Sequence, residues 1–209
     1  MVKKKVSLNI GYCQGIVNAG VYSPSPSYGR LDVRTINERR NPVTKRHDVQ
    51  VFNFVALGDM VEQIVHSCKV GDRVTVSYYL KERVHINKRT GKGAFVNEMI
   101  LKDVFVRGAS DEGRVGPLNF GFIQGKFIGI VKVPHAEGIY NLTVLYESDL
   151  KYGPQHFEFV VYGSLGEKLM SSYKKGQYVN VQYKAEKVRH IRSDGRAEFF
   201  TNFVVEKIE

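Results

Sequence analysis

Val51-Phe52-Asn53-Phe54-Val55-Ala56-Leu57-Gly58 recurs further along the chain as His156-Phe157-Glu158-Phe159-Val160-Val161-Tyr162-Gly163. Gly71-Asp72-Arg73-Val74-Thr75-Val76 recurs at the same offset of 105 residues, as Gly176-Gln177-Tyr178-Val179-Asn180-Val181. Asn9-Ile10-Gly11-Tyr12-Cys13-Gln14-Gly15 is echoed at an offset of 110 by Asn119-Phe120-Gly121-Phe122-Ile123-Gln124-Gly125, so the second copy is about five residues shorter ahead of its matched strand. So long a period does not fit a solenoid unit and marks a duplicated domain. The 209-residue chain therefore divides into residues 1–107 and 118–209. Between them, residues 108–117 hold three glycines, a proline and charges of both signs, the composition of a linker.

Each copy reads as strands around one short helix. Phe52, Phe54 and Ala56 alternate with Val51, Asn53, Val55 and Leu57, and Phe157, Phe159 and Val161 repeat the first face, which is expected in the core. After the strand-ending glycine, Asp59 with Glu62 and Ser164 with Glu167 have the spacing of capping boxes. The helices they would open carry Met60, Val61, Ile64 and Val65, or Leu165, Leu169 and Met170, as the face that plugs a barrel end. A turn leads into a strand with Val74, Val76 and Tyr78, or Val179, Val181 and Tyr183, on one side; both tyrosines are expected in the core. Basic hairpins follow, with turn signals at Thr90-Gly91 and Asp194-Gly195, and last strands run from Phe95 to Val106 and from Phe199 to Ile208. The fold class is mainly β: two tandem OB-fold barrels, each with a short capping helix between strands 3 and 4.

The net charge of +10 is unevenly spread. Residues 1–110 hold 18 Lys and Arg against 9 Asp and Glu, whereas residues 111–209 hold 13 against 12. Positive charge concentrated on one domain suits a polyanion, because each neutralised phosphate releases condensed counterions. Composition, 43% hydrophobic and 25% charged, is that of an ordinary globular chain, and no apolar run reaches the length of a membrane span. Met1-Val2-Lys3-Lys4-Lys5 passes directly into a strand pattern without the apolar stretch of a signal peptide, so the expected location is the cytoplasm or nucleoid. Cys13 and Cys68 have no ligand spacing, the six histidines form no metal pattern, and neither a nucleophile motif nor a phosphate loop occurs. No enzyme activity, cofactor or metal is expected.

The order of strand, glycine, helix, Lys69-Val70-Gly71-Asp72-Arg73-Val74, then Lys81-Glu82-Arg83 before a hairpin with Thr90-Gly91, resembles the bacterial-type single-stranded DNA-binding protein family. The likeness spans about 60 residues of copy one and, less clearly, the same stretch of copy two. It implies sequence-independent coating of single-stranded DNA in replication or recombination, without catalysis. The family's stacking positions usually hold tryptophan, and this chain has none. They fall at Val51, Leu57 and His85 in copy one and at His156, Tyr162 and His190 in copy two, with a further one near Asn37 to Arg39 and near Tyr146. Copy one thus keeps charge and loses rings, while copy two keeps rings and loses charge. The strand pattern runs up to Glu206-Lys207-Ile208-Glu209 in place of the acidic tail of cellular members, so a phage- or plasmid-like version is the expectation.

Single strands bind where cations track the backbone and aromatic faces receive bases. In copy one the candidates are Arg39, Arg40, Lys45 and Arg46 before the matched strand, with Tyr79, Lys81, Arg83, His85, Lys88, Arg89 and Lys92 on and beside the hairpin. In copy two Tyr146, Tyr152, His156 and Tyr162 are the rings, with Lys184, Lys187, Arg189, His190, Arg192 and Arg196 around them. The expected partner is single-stranded DNA, and a homo-dimer is a further expectation. The alternatives are an RNA-binding or RNA-chaperone role, and a module whose nearly neutral second barrel mediates protein interaction or dimerisation.

Overall fold

The computed structural model describes residues 8–40, 47–86, 91, 93–107, 118–147, 153–191 and 195–209, with backbone alone at 36–40, 47, 48, 85 and 94. The proposed linker, 108–117, lies outside the described residues. In chain order the first copy supplies β1 (Asn9–Val17), β2 (Tyr22–Ser25), β3 (Tyr28–Arg40), β4 (His47–Leu57), α1 (Asp59–Ser67), β5 (Arg73–Ile86) and β6 (Gly93–Val106). The second supplies β7 (Asn119–Lys132), β8 (Ile139–Glu147), β9 (Pro154–Tyr162), α2 (Gly163–Ser172), β10 (Tyr178–Ile191) and β11 (Ala197–Ile208).

The fold is mainly β, and each copy's pairing returns on itself. In the first, β1 pairs with β5, β5 with β6, β6 in parallel with β4, β4 with β3, and β3 back with β1 through Ile16↔Arg34 and Val17↔Val33. In the second, β7, β10, β11, β9 and β8 close in the same order, again with one parallel pair, β9 with β11. The period-two pattern explains what fills these rings. Phe52, Phe54 and Ala56, and their counterparts Phe157, Phe159 and Val161, are buried with Tyr78 and Tyr183. Fully burying a side chain of that size stabilises the fold by about 1.5–3 kcal/mol.

The helices start differently from the capping-box expectation. Gly58 and Tyr162 are the capping residues, and neither helix start has a side-chain cap hydrogen bond. The reason is backbone geometry: Gly58 turns the chain at φ 58°, and Val61 N–H donates to Gly58 O at 2.9 Å, so Asp59 is already helical. Asp59 and Glu62 act instead as negative charges in the first turn, favourable at the positive end of the helix. Val61, Ile64 and Leu169 face the core, while Val65 and Met170 are exposed, which narrows the plugging face.

The two copies join through β1 and β7, antiparallel from Asn9↔Ile123 to Cys13↔Asn119, with Gly11 opposite Gly121. Corresponding residues then make corresponding contacts. Asn9 and Leu80 exchange two hydrogen bonds, as do Asn119 and Ala185. Glu82 N–H donates to Gln155 Oε1 at 3.1 Å, and Lys187 N–H donates to Gln50 Oε1 at 3.2 Å. The join is therefore an internal pseudo-dyad.

Its polar ties are not symmetric, however, because Glu82 in one copy answers to Lys187 in the other. Glu82 Oε2 accepts from His156 N–H at 3.4 Å. Lys187 Nζ donates to Asn53 Oδ1 at 3.2 Å, and Asn53 in turn donates to Asp32 Oδ1 at 2.8 Å. Burial lowers the Lys187 pKa, with the Asp32 carboxylate opposing the shift.

Candidate nucleic-acid interface

Directly opposed residues on neighbouring strands point to the same side of a sheet. On the outward side of copy one, Tyr28 faces Leu57, Arg30 faces Val55, Val55 faces Ile100, and Ile100 faces Tyr79. Val55 and Ile100 are buried, giving this side an apolar floor. Arg83 lies opposite Val96, and its Nη1 meets Glu98 Oε1 at 3.0 Å. Glu98 first, and the Tyr28 hydroxyl to a smaller extent, raise the pKa of the guanidinium. Tyr28, Arg83 and Glu98 thus converge at one edge.

Copy two repeats the plan with other residues. Tyr162 faces Ile139, Val160 faces Asn141 and Val204, and Val204 faces Lys184. Lys184 Nζ is 2.7 Å from Glu186 Oε1. Tyr162 is 44% exposed, and its pKa is raised by partial burial first and then by Glu186, with Lys184 opposing. On the hairpin arm Val188 faces Phe200, and the His190 and Phe200 rings lie 6.3 Å apart.

Each face is bordered by the other copy. Lys187 reaches Asn53 on β4, while Asn97 Nδ2 donates to Glu158 O on β9 at 3.3 Å. Each copy's sheet thus has the other copy's hairpin arm beside it.

The expected site residues divide accordingly. Tyr79, Lys81, Arg83, Tyr162, Lys184 and His190 line the outward sides just described. His156 is exposed but sits at the join, its backbone N–H held by Glu82. Lys187 is drawn into the join and half-buried there, which removes it from the open surface. Arg189 faces Phe199 on the opposite side of the hairpin from His190. Arg196 is exposed near the start of β11. Tyr146 has the inward parity of Leu142 and Val144 and packs on Phe157 with ring centroids 6.0 Å apart, so it belongs to the core margin. Lys45, Arg46, Lys88, Arg89, Lys92, Tyr152 and Arg192 lie outside the described residues, as do the side chains of Arg39, Arg40 and His85.

Besides Tyr22 on β2, the sequence reading missed two rings. Tyr28 stands across from Leu57 in copy one, whereas copy two has Ile139 across from Tyr162. A ring is present at this place in both copies, supplied by opposite members of the strand pair. Copy one has not lost its rings. Phe200, 50% exposed, is the other, and a signal for it existed: adjacent Phe199 and Phe200 in one strand cannot both face inward. Among the described residues, no cluster of His, Cys, Asp and Glu is arranged to hold a metal ion, and no helix is long and apolar enough to cross a membrane.

No family model matches this sequence, and no characterised protein matches it in sequence. Solved structures do match. The chain is similar to a deletion mutant of the single-stranded DNA binding protein from Thermus aquaticus, with a TM-score of 0.69 and 16% identity over 97% of this chain and 94% of that one. It is similar to the wild-type protein from the same organism with a TM-score of 0.66 and 17% identity, over 97% and 92% of the two chains. At these identities the likeness is one of fold, over nearly the whole of this chain.

Proposed function

We propose that the two closed five-stranded rings are tandem OB-fold barrels, residues 1–107 and 118–209, that together bind single-stranded DNA without sequence preference. The observation that carries this reading is the recurrence, on both outward sides, of a tyrosine beside a cation: Tyr28 with Arg83, and Tyr162 with Lys184. Rings receive bases and cations track phosphates, a combination that needs no base-edge readout. Phe200 with His190 extends the ring surface of copy two. Covalent linkage holds the second barrel at a raised effective concentration once the first is engaged. Binding, protecting and releasing the strand in replication or recombination requires no catalytic group.

Anisotropy titration with labelled oligo-dT at several salt concentrations tests this. Affinity is expected to fall with salt, with a log–log slope of about −0.7 per phosphate contacted. A flat salt dependence, or equal affinity for a duplex of the same length, removes the reading. Competition with matched oligo-rU separates DNA from RNA, since the 2′-hydroxyl distinguishes them.

The homo-dimer belongs to the same proposal. Strands β6, β5, β1, β7, β10 and β11 form one continuous outer surface. At its centre Tyr12 and Phe120 lie 5.5 Å apart, as do Phe120 and Phe122. All three are half-buried, and the patch straddles the pseudo-dyad, which makes it nearly self-complementary and suited to isologous contact with a second copy. Tyr12→Asp combined with Phe120→Asp is expected to halve the mass measured by light scattering while leaving the circular dichroism spectrum intact. A parent chain that is monomeric at micromolar concentration overturns the dimer.

A further inference from the structure

The copies differ in what stands across from the first residues of β3 and of β8. Copy one carries β2, which pairs with β3 through Tyr22↔Arg30 and Ser25↔Tyr28. In copy two the last residues of β7 take the same place, with Val131 opposite Asn141 and Lys132 opposite Tyr140 ahead of a tight turn in which Val133 N–H donates to Ile139 O at 2.9 Å, so an aliphatic side chain and an amide stand where copy one has Tyr22 and Arg30. The register sets what β2 adds. Tyr22 opposes Arg30, Arg30 opposes Val55 and Val55 opposes Ile100, so Tyr22 lengthens the outward row of copy one by one strand.

Tyr22 is 56% exposed although it is a large ring on a folded strand. The Arg30 guanidinium stands over it, 5.7 Å from the ring centroid, and is itself oriented by Asp32 Oδ1 at 3.1 Å from its Nε. The hairpin is stiff. Pro24 and Pro26 restrict φ, and Ser23 Oγ is bonded to Ser25 O at 3.1 Å. A rigid, exposed ring with a cation beside it meets the requirements of a stacking platform, because little ordering entropy remains to be lost on binding. An ordinary exposed tyrosine would have neither the oriented guanidinium nor a place in line with the groove.

We propose that the β2–β3 hairpin is a nucleobase-stacking subsite present in copy one and absent from copy two, with the base on Tyr22 and Arg30 beside its phosphate. This rests on the single-strand-binding function proposed above and adds to it a residue pair and an asymmetry. The extra subsite gives the bound strand a preferred end on the protein, at copy one.

The test uses the full chain and oligo-dT. Tyr22→Ala is expected to weaken binding by about tenfold, within the roughly 5- to 140-fold range for losing one stacked base, while the salt slope stays unchanged. Because the chain contains no tryptophan, Tyr22→Trp places a single indole on the hairpin. That variant is expected to bind like the parent and to lose indole emission when oligo-dT is added. If the parent binds oligo-dT but Tyr22→Ala binds within twofold of it, the subsite is overturned and the general function stands. If the introduced indole keeps its emission at saturation, the subsite is likewise overturned. A parent chain that fails to bind oligo-dT overturns both.

Discussion

Gly121→Ala is expected to destabilise the chain by about 1–3 kcal/mol, the cost of forcing extra volume into a packed interior. A Cβ at Gly121 would stand 2.2 Å from Tyr183 Cζ, and one at Gly11 would stand 2.3 Å from Tyr78 Cζ. Neither ring has an easy retreat, because Tyr183 packs on Phe159 and Phe203 with centroids 5.3 and 5.5 Å away, and Tyr78 packs on Phe54 at 5.4 Å. Both glycines also belong to the β1–β7 pairing, so backbone relief of the clash would be taken from the join between the copies. Gly11→Ala should behave alike, and the double variant should not be additive, since the two residues are direct partners. Urea midpoints measure the loss, and Tyr183→Leu in the Gly121→Ala background should recover part of it by vacating the contested space. A Gly121→Ala midpoint equal to the parent's would show that these rings can move.

Stability is expected to collapse in alkali, beginning near pH 9. Burial pushes the Cys13 thiol from 9.0 up to about 12. Burial likewise raises Tyr78 and Tyr183, and the neighbouring Tyr183 and Cys13 raise Tyr78 further. An acid whose folded pKa is raised keeps its proton in the folded state after the unfolded state has lost it. Between the two values the folded state binds more protons, so stability is full below the unfolded pKa and falls as pH rises above it. For Cys13 the three-unit span corresponds to about 4 kcal/mol between pH 9 and 12, at about 1.36 kcal/mol per unit. The two tyrosines add to the loss from about pH 10. Lys187 works in the opposite sense: its lowered pKa means that the unfolded state holds the extra proton, so stability recovers slightly as pH approaches 10.5. Urea midpoints from pH 7.5 to 11.5, in a reducing buffer, should show the decline. Cys13→Ala should delay its onset by about one pH unit, leaving the tyrosine part. A midpoint that stays level from pH 9 to 11 contradicts the burial of Cys13, Tyr78 and Tyr183.

How the site came to be only partly legible follows from the same geometry. The alternation of Phe52, Phe54 and Ala56 with their outward neighbours announces a strand with one buried face, and its recurrence as Phe157, Phe159 and Val161 announces a second. Tyr162 and His190 could be picked out by counting from the glycines that end one strand and open the next, and Arg83 and Lys184 as cations on or beside the basic hairpins. Tyr28 and Tyr22 could not. Their value depends on facing Leu57 and Arg30 across strands, and that register is written in no local pattern. Lys187 shows the reverse failure, a residue that reads as a free surface cation until the second copy's contact with Asn53 is known. Tyr146 was misjudged at a strand end, where one step of parity separates a core ring from an exposed one.

The helix starts were misread for a backbone reason. Asp59 and Ser164 carry the right side chains for caps, but the preceding glycines turn through positive φ, at 58° for Gly58 and also 58° for Gly163. The helix then begins before those side chains can serve. From residue order alone came the duplication, the mainly β class, the core faces and the basic bias of copy one, all of which depend on periodicity and composition over a few neighbouring positions. The joining of β1 to β7, the burial of Lys187 and the ring pairs across β3 and β4 had to come from the folded chain. They depend on hydrogen-bond register between segments distant in sequence, and only packing, which excludes every alternative that leaves the phenylalanine faces wet, selects it.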